Sequence, residues 1–212
     1  MKTIIFDLDG TLLDTLDDLC DSVNYALRTN GMPERSKPEV RRALGNGIRS
    51  LMAASVPPGT AEADFETAFL TFRNYYTSHC RLRTQPYAGV PETLHNLRRR
   101  GCRMGIVSNK LDPAVKELWR HFFRDTIESA VGESATVRRK PSPDGLLAVL
   151  AELGGTPENA LYVGDSEVDI ETARRAGIPC VSVTWGFRDR DVLVAAGATL
   201  LISRPEELEA LA

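Results

Sequence analysis

Six short apolar segments, each followed by a helical pattern, constrain the fold of this 212-residue chain more than any other feature. The segments are residues 3–6, 103–107, 127–131, 161–163, 180–183 and 199–202. Buried strands that alternate with helices are typical of a parallel sheet with helices on both faces. The sequence therefore predicts an α/β fold built on a Rossmann-like, doubly wound parallel sheet.

Capping residues mark several helix boundaries between these segments. Asp112-Pro113 and Ser142-Pro143 each place an N-cap residue before a proline, which is favoured at the first helical position. Gly101 and Gly177 follow helical patterns, at positions where a left-handed cap favours glycine. These signals predict helices that start at residues 113 and 143 and helices that end just before residues 101 and 177.

Residues 15–82 interrupt the alternation, because this stretch has helical periodicity and turn signals but no strand candidate. Apolar residues at helical spacing predict two amphipathic helices. They are Leu16, Leu19, Val23 and Leu27 in the first helix and Phe65, Phe69, Phe72 and Tyr76 in the second. A connection of this length is too long for a simple crossover, so we expect an α/β core of residues 1–14 and 83–212 and a helical cap of residues 15–82.

The composition excludes several classes of protein. Apolar residues make up 42% and charged residues 26% of the chain, which is typical of a globular protein. The net charge of −3 predicts no general affinity for nucleic acid or for anionic membranes. The apolar runs are far shorter than the roughly 20 residues of a membrane span, and the first strand is too short for a signal peptide. We expect a cytoplasmic protein, monomeric or homodimeric, whose partner is a small molecule.

Four polar segments lie after predicted strands. Residues 7–11, Asp-Leu-Asp-Gly-Thr, place two carboxylates at the end of the first strand, where open parallel sheets bind ligands. The other segments contain Ser108-Asn109, Lys140-Pro141 and, later, Asp165 and Asp169. Taken singly, each segment also fits a structural role, as a tight turn, a polar turn, a surface lysine or a helix-capping pair.

Together, the four segments resemble the motifs of the haloacid dehalogenase superfamily of aspartyl phosphotransferases, in the same order and over the whole chain. The helical insertion resembles the C1 cap of that family. The matching residues are Asp7-x-Asp9-Gly10-Thr11, Ser108, Lys140 and Gly164-Asp165-x-x-x-Asp169. Within the capped group, the chain is most similar to phosphoglycolate phosphatases. The residues that carry this similarity are Gly45-Asn46-Gly47, Pro86-Tyr87-x-Gly89-Val90, Val107-Ser108-Asn109-Lys110 and Lys140-Pro141-x-Pro143.

The resemblance implies a Mg²⁺-dependent phosphomonoesterase that acts on a small phosphorylated metabolite, with 2-phosphoglycolate as the expected substrate, through an aspartyl phosphate. It implies that Asp7 is the nucleophile and that Asp9 is the general acid and base. Ser108 and Lys140 would balance the charge of the phosphoryl oxygens. The implied metal set consists of the carboxylates of Asp7 and Asp165, the backbone carbonyl of Asp9 and, through the metal's water shell, Asp169.

Further substrate contacts are expected from both parts of the chain. In the core they are Thr11 and Asn109. In the cap they are Gly45, Asn46, Gly47 and Arg49, which would meet a small carboxylate as the cap closes. An arginine at the start of an amphipathic helix is also commonly solvated, so Arg49 has two interpretations.

Three alternative functions fit the same motifs. A phosphomutase similar to the β-phosphoglucomutases needs a cap group that controls Asp9, and no clear His or Lys for this task lies near Gly45. A pyrophosphatase is another activity within the hydrolase class. A catalytically silent binding protein would have no chemical need for both Asp7 and Asp9. The sequence therefore favours a hydrolase and leaves its substrate open.

Overall fold

The computed structural model describes residues 2–212, which fall into two compact units. The first unit combines the chain up to Asp14 with Pro86–Ala212, and the second is Thr15–Gln85. The chain thus returns to the first unit after Gln85, rather than after residue 82 as expected from the sequence. None of the helices described in residues 2–212 is long and apolar enough to span a bilayer.

The first unit is built on a six-stranded sheet in which every pairing is parallel. Its strands are β1 (Thr3–Phe6), β4 (Arg103–Leu111), β5 (Ser129–Glu133), β6 (Ala160–Gly164), β7 (Cys180–Val183) and β8 (Leu200–Ile202). Two short strands, β2 (Leu13–Asp14) and β3 (Gln85–Pro86), lie where the chain leaves this unit and where it returns. The order in the sheet is β5-β4-β1-β6-β7-β8, which confirms the predicted α/β class.

Helices cover both faces of this sheet, because successive strand residues point to opposite sides. The helices of the unit are α5 (Val90–Arg99), α6 (Asp112–Phe122), α7 (Asp144–Glu152), α8 (Glu167–Ala176) and α9 (Arg190–Ala195), with short 3₁₀ helices at Pro157–Asn159 and Pro205–Ala210. Ile4 and Phe6 of β1 pack into the same apolar cluster as residues of α5 and α6. Ile5, which lies between them, packs with residues of α7 and α8. The sheet is therefore doubly wound, as predicted.

Several predicted boundaries differ from the structure. Helix α6 begins at Asp112 and α7 at Asp144, not at residues 113 and 143. The Asp112 carboxylate accepts a hydrogen bond of 2.9 Å from the backbone N–H of Gly132, so it holds a neighbouring strand instead of capping its own helix. Strand β5 begins at Ser129 rather than at residue 127, because the Ile127 carbonyl accepts a hydrogen bond from the Trp119 indole. The helix end at Gly177 is confirmed, with a left-handed φ of 70°.

The second unit is helical. Its helices are α1 (Leu16–Thr29), α2 (Lys37–Ala43), α3 (Gly47–Ser55) and α4 (Glu62–His79). Seven of the eight predicted apolar positions in α1 and α4 are buried, and the remaining one, Phe69, is half-buried. The buried Asp18 carboxylate accepts hydrogen bonds from the backbone N–H groups of Arg83 and Thr84. This carboxylate therefore ties the start of α1 to the segment that follows α4.

Candidate active site

The candidate site lies at the carboxyl edge of the parallel sheet. Asp7 directly follows β1, and Asp165 directly follows β6. Because β1 and β6 are hydrogen-bonded neighbours that run in the same direction, their ends place these two carboxylates side by side. Asp169 lies in the first turn of α8, and Lys140 lies between β5 and α7. Residues from three separate segments of the sequence thus converge on one edge.

The Lys140 ammonium joins two of these carboxylates. Its Nζ lies 2.7 Å from Asp7 Oδ1 and 2.7 Å from Asp169 Oδ1, and it donates to the Tyr162 hydroxyl at 3.0 Å. Burial by itself would lower the pKa of Lys140, but the carboxylates of Asp169 and Asp7 outweigh it and raise the pKa above the ordinary value. Lys140 is therefore a fixed positive charge beside Asp7.

Three carboxylates at this edge are arranged as a cation site. Ligand oxygens of Asp7, Asp165 and Asp169 all lie within 4.8 Å of one another. Burial raises the pKa of Asp7 well above its ordinary value, and burial together with the charge of Asp169 raises that of Asp165 to about 7. When all three carboxylates are ionised they face one ammonium, so two negative charges within this cluster are then left uncompensated. The donor set therefore fits a divalent cation that prefers oxygen ligands.

The Asp165 carboxylate is held from two sides. The Phe187 backbone N–H donates to Oδ2 at 2.7 Å, and the Thr11 hydroxyl lies 3.4 Å from Oδ1. Gly10 approaches the same carboxylate so closely that a Cβ on it would lie 2.4 Å from Oδ2, and its φ of +86° also favours glycine. The glycine of the Asp-Gly turn is therefore required by the position of Asp165 as well as by the turn.

Asn109 connects β4 with the backbone of Lys140. Its Oδ1 accepts a hydrogen bond of 2.6 Å from the Lys140 N–H, and its Nδ2 donates to the Lys140 carbonyl at 3.1 Å. Ser108 is buried beside it, with its Oγ 3.2 Å from the Lys110 N–H. The expected substrate contacts of Ser108 and Asn109 stay predictions, whereas a positioning contact from Asn109 to Lys140 is present.

Two side chains of this site were not assigned by sequence analysis. The Tyr162 hydroxyl, fully buried on β6, donates to Asp169 Oδ1 at 2.9 Å and accepts from Lys140. A buried tyrosine hydroxyl needs a polar partner, which is the one sequence signal that could have indicated this role. Lys110, also buried, places its Nζ 2.7 Å from Asp9 Oδ1. Tyr162 therefore contacts Asp169 and Lys110 contacts Asp9, two residues that belong to the sequence motifs.

The predicted substrate residues of the helical unit lie around the start of α3. Gly45 and Asn46 form the bend that precedes this helix, and Gly47 is its first residue. The Arg49 guanidinium pairs with the carboxylates of Glu66 and Glu62 and lies 4.9 Å from the centroid of the Phe65 ring. The contacts of these four residues with a substrate stay predictions.

Comparison with known proteins gives consistent matches over most of the chain. The family model of haloacid dehalogenase-like hydrolases matches residues 4–183. A phosphoglycolate phosphatase of Aquifex aeolicus is 32% identical over 209 residues, which are 98% of this chain and 95% of that protein. An N-acetylmuramic acid 6-phosphate phosphatase of Pseudomonas aeruginosa is 31% identical over 214 residues, which are 98% of this chain and 93% of that protein.

A similar solved structure indicates the same family as these relatives. A crystal structure assigned as a phosphoglycolate phosphatase of Lactobacillus delbrueckii subsp. bulgaricus has a TM-score of 0.94 and 31% identity, and the match covers 100% of this chain and 98% of that one. The resemblance inferred from the four sequence motifs is thereby confirmed. The chain belongs to the haloacid dehalogenase-like hydrolase family and is a phosphatase of that family.

Proposed function

We propose that the chain hydrolyses a small phosphorylated metabolite through an aspartyl phosphate on Asp7, with Mg²⁺ as cofactor and 2-phosphoglycolate as the first candidate substrate. The observation that carries the proposal is the Lys140 ammonium, which lies 2.7 Å from Asp7 inside a cluster of three carboxylates. A phosphate monoester is a dianion, so it approaches a carboxylate nucleophile only where positive charge offsets the repulsion. Asp7, Asp165 and Asp169 would hold Mg²⁺, which would supply that charge and Lewis-acid chemistry.

The residues then divide the chemistry into two steps. In the first, an Asp7 oxygen bonds to phosphorus, the bond from phosphorus to the leaving oxygen breaks, and Asp9 gives its proton to that oxygen. In the second, Asp9 takes a proton from water, the water oxygen bonds to phosphorus, and the bond to Asp7 breaks. Lys140 balances negative charge in both steps, while Asn109 and Tyr162 keep its backbone and ammonium in place.

Recognition of a carboxylate is the second part of the proposal. Phosphoglycolate and N-acetylmuramic acid 6-phosphate, which name two relatives, are both phosphate monoesters that also carry a carboxylate. This shared chemistry makes N-acetylmuramic acid 6-phosphate the second candidate substrate. We propose Arg49 and residues 45–47 as the groups that recognise the carboxylate. Arg49→Ala should then remove the preference for carboxylate-bearing substrates.

A matched pair of substrates tests the function. Ethyl phosphate has nearly the size of 2-phosphoglycolate but lacks its carboxylate, so kcat/KM in Mg²⁺ should be at least about tenfold higher for 2-phosphoglycolate, the discrimination that 1.4 kcal/mol provides. Removal of Mg²⁺ by a chelator should abolish turnover of both. Full activity without Mg²⁺ would refute the metal assignment. A preference for pyrophosphate, or conversion of glucose 1-phosphate to glucose 6-phosphate, would instead establish one of the alternative activities.

A further inference from the structure

A buried lysine lies beside the proposed acid and base. The Lys110 side chain is 3% exposed, and its Nζ lies 2.7 Å from Oδ1 of Asp9, whose side chain is 19% exposed. The two residues are 101 positions apart in the sequence, so the contact is a product of the fold. A buried ammonium at this distance fixes the carboxylate oxygen that it contacts.

The end of β4 is built to place Lys110 there. The register between β4 and β5 shifts between Val107 and Leu111, and such irregularities change the direction of side chains near active sites. Gly132 on β5 makes this path possible, because a Cβ on Gly132 would lie 2.6 Å from the Lys110 carbonyl oxygen. The Gly132 N–H also donates to the Asp112 carboxylate, which holds the segment after Lys110.

Lys110 forms an ion pair with Asp9, outside the three carboxylates of Asp7, Asp165 and Asp169. Lys140 is the ammonium that contacts Asp7 and Asp169, whereas Lys110 contacts Asp9. One lysine thus forms an ion pair with the proposed nucleophile, and the other forms an ion pair with the proposed acid and base.

We propose that Lys110 is a positioning residue that holds Asp9 Oδ1, so that Oδ2 is the oxygen that exchanges protons with the leaving group and with water. This inference rests on the proposed function, since it assumes that Asp9 acts as acid and base. A free carboxylate rotates about its last side-chain torsion, and only some orientations align with the leaving oxygen. Proton transfer loses efficiency when the acid is misplaced by even about 1 Å.

The proposal predicts a dependence on the leaving group. An alkyl phosphate such as 2-phosphoglycolate needs its leaving oxygen protonated, whereas the p-nitrophenolate of p-nitrophenyl phosphate leaves without a proton. Lys110→Met, which keeps the length of the side chain, should lower kcat/KM for 2-phosphoglycolate about 10- to 100-fold. It should lower kcat/KM for p-nitrophenyl phosphate less than about threefold, and the inhibition constant of inorganic phosphate should not change, because the phosphoryl site is intact.

A double-mutant cycle separates positioning from general damage to the fold. A residue that acts only through Asp9 has no further effect once Asp9 is removed, so Lys110→Met in an Asp9→Asn background should change kcat/KM less than about threefold. Lys116→Met is the matched control, since Lys116 is a partly buried lysine of the same unit that donates to the Ala130 carbonyl. It should leave both substrates unaffected. Lys110→Arg keeps a charged donor, so its kcat/KM for 2-phosphoglycolate should fall less than that of Lys110→Met. The fall should again be larger for the alkyl phosphate than for p-nitrophenyl phosphate.

The outcomes distinguish this inference from the proposed function. The role of Lys110 alone is refuted if Lys110→Met and Lys110→Arg lower kcat/KM equally for alkyl and aryl phosphates. It is also refuted if Lys110→Met lowers the kcat/KM of Asp9→Asn as much as it lowers that of the wild type. If Asp9→Asn itself lowers kcat/KM equally for both substrates, the assignment of Asp9 as general acid fails, and the role of Lys110 fails with it. If Lys110→Met does not fold, Lys110→Arg gives the same comparison.

Discussion

Asp7 shows how burial and charge compete at a single residue of this site. Burial raises the pKa of its carboxyl, the Lys140 ammonium lowers it, and the neighbouring carboxylates of Asp169 and Asp165 raise it again. The net effect is upward, so the group in the protein alone is a poor anion. A nucleophilic carboxylate therefore requires more positive charge than Lys140 supplies. This requirement is the residue-scale argument for a divalent cation.

Asp9→Asn should separate the two chemical steps. The variant loses the proton donor and acceptor but keeps its backbone carbonyl, so turnover of 2-phosphoglycolate should fall about 10²- to 10⁴-fold. An acyl phosphate has a leaving group that needs no proton, so it should still phosphorylate Asp7, and the phosphoenzyme should then accumulate. Mass spectrometry after an acid quench should find the added phosphoryl group on the peptide that contains Asp7. A phosphoryl group on a serine or histidine, or turnover at the wild-type rate, would contradict the assignment of both residues.

At the scale of elements, the end of β4 does more than supply a polar turn. Asn109 makes two hydrogen bonds to the backbone of Lys140, and Asn109→Ala leaves the Lys140 N–H and carbonyl without these partners. We expect a loss of about 2 kcal/mol of stability together with a lower kcat, because Lys140 is displaced. Urea unfolding and steady-state kinetics measure the two effects. A raised KM with unchanged stability would instead support a direct substrate contact.

Asp18 has a comparable role inside the helical unit. It is buried, and its carboxylate accepts hydrogen bonds from the Arg83 N–H, the Thr84 N–H and the Thr84 hydroxyl. In Asp18→Asn an amide nitrogen faces these donors, so we expect a loss of about 2 kcal/mol in urea unfolding. Asp17→Asn is the control, because Asp17 is a half-buried residue of the same turn whose carboxylate pairs with Lys37, and it should lose less than about 1 kcal/mol. Equal losses in both variants would contradict the buried-acceptor role.

The sequence predicts elements well where burial alone decides them. The bounds of β1 and β7 agree with the prediction, since every residue of these short segments is apolar or small. Strand β4 extends to Leu111, beyond the predicted end at residue 107, because its polar residues are ordered by tertiary contacts. Asp112 has the pattern of a helix cap but bonds to Gly132 instead. Local sequence patterns do not show whether a strand continues through polar residues, or whether an aspartate caps its own helix or bonds to a neighbouring strand.

The same limit applies to the candidate site. The four motifs together, through their resemblance to a known superfamily, predicted Asp7, Asp165, Asp169 and Lys140 as site residues, and these four side chains lie close together in the structure. The contact of Lys110 with Asp9 spans 101 positions and follows from no spacing rule. Tyr162 fits the apolar pattern of its strand, so its hydroxyl contact with Asp169 depends on how α8 packs on the sheet.

At the scale of the whole molecule, the carboxylate cluster links stability to pH and to metal. The folded protein holds a proton on Asp165 up to a pKa of about 7, because burial and Asp169 raise the pKa, whereas an ordinary aspartate releases its proton near 3.8. Between these values the folded state binds more protons than the unfolded state. The free energy of unfolding of the metal-free protein therefore decreases as pH rises from about 4 to 7, by up to about 1.4 kcal/mol per pH unit for one proton.

Mg²⁺ should reverse this loss, because it binds the carboxylates in their deprotonated form. At 100 times its Kd the ion adds about 2.7 kcal/mol, which raises the Tm of a chain of this size by about 5 to 10 °C. We expect that increase at pH 7.5 and a much smaller one at pH 5, where a proton competes for Asp165. Thermal unfolding of the wild type and of Asp165→Asn, each with Mg²⁺ and with chelator, measures both effects. Asp165→Asn should have a shallower pH dependence and a smaller Mg²⁺ shift, because its amide neither titrates nor supplies a charged ligand. If the two proteins show the same dependence on pH and Mg²⁺, the ion is held elsewhere, and Asp165 is not the group that links metal binding to folding.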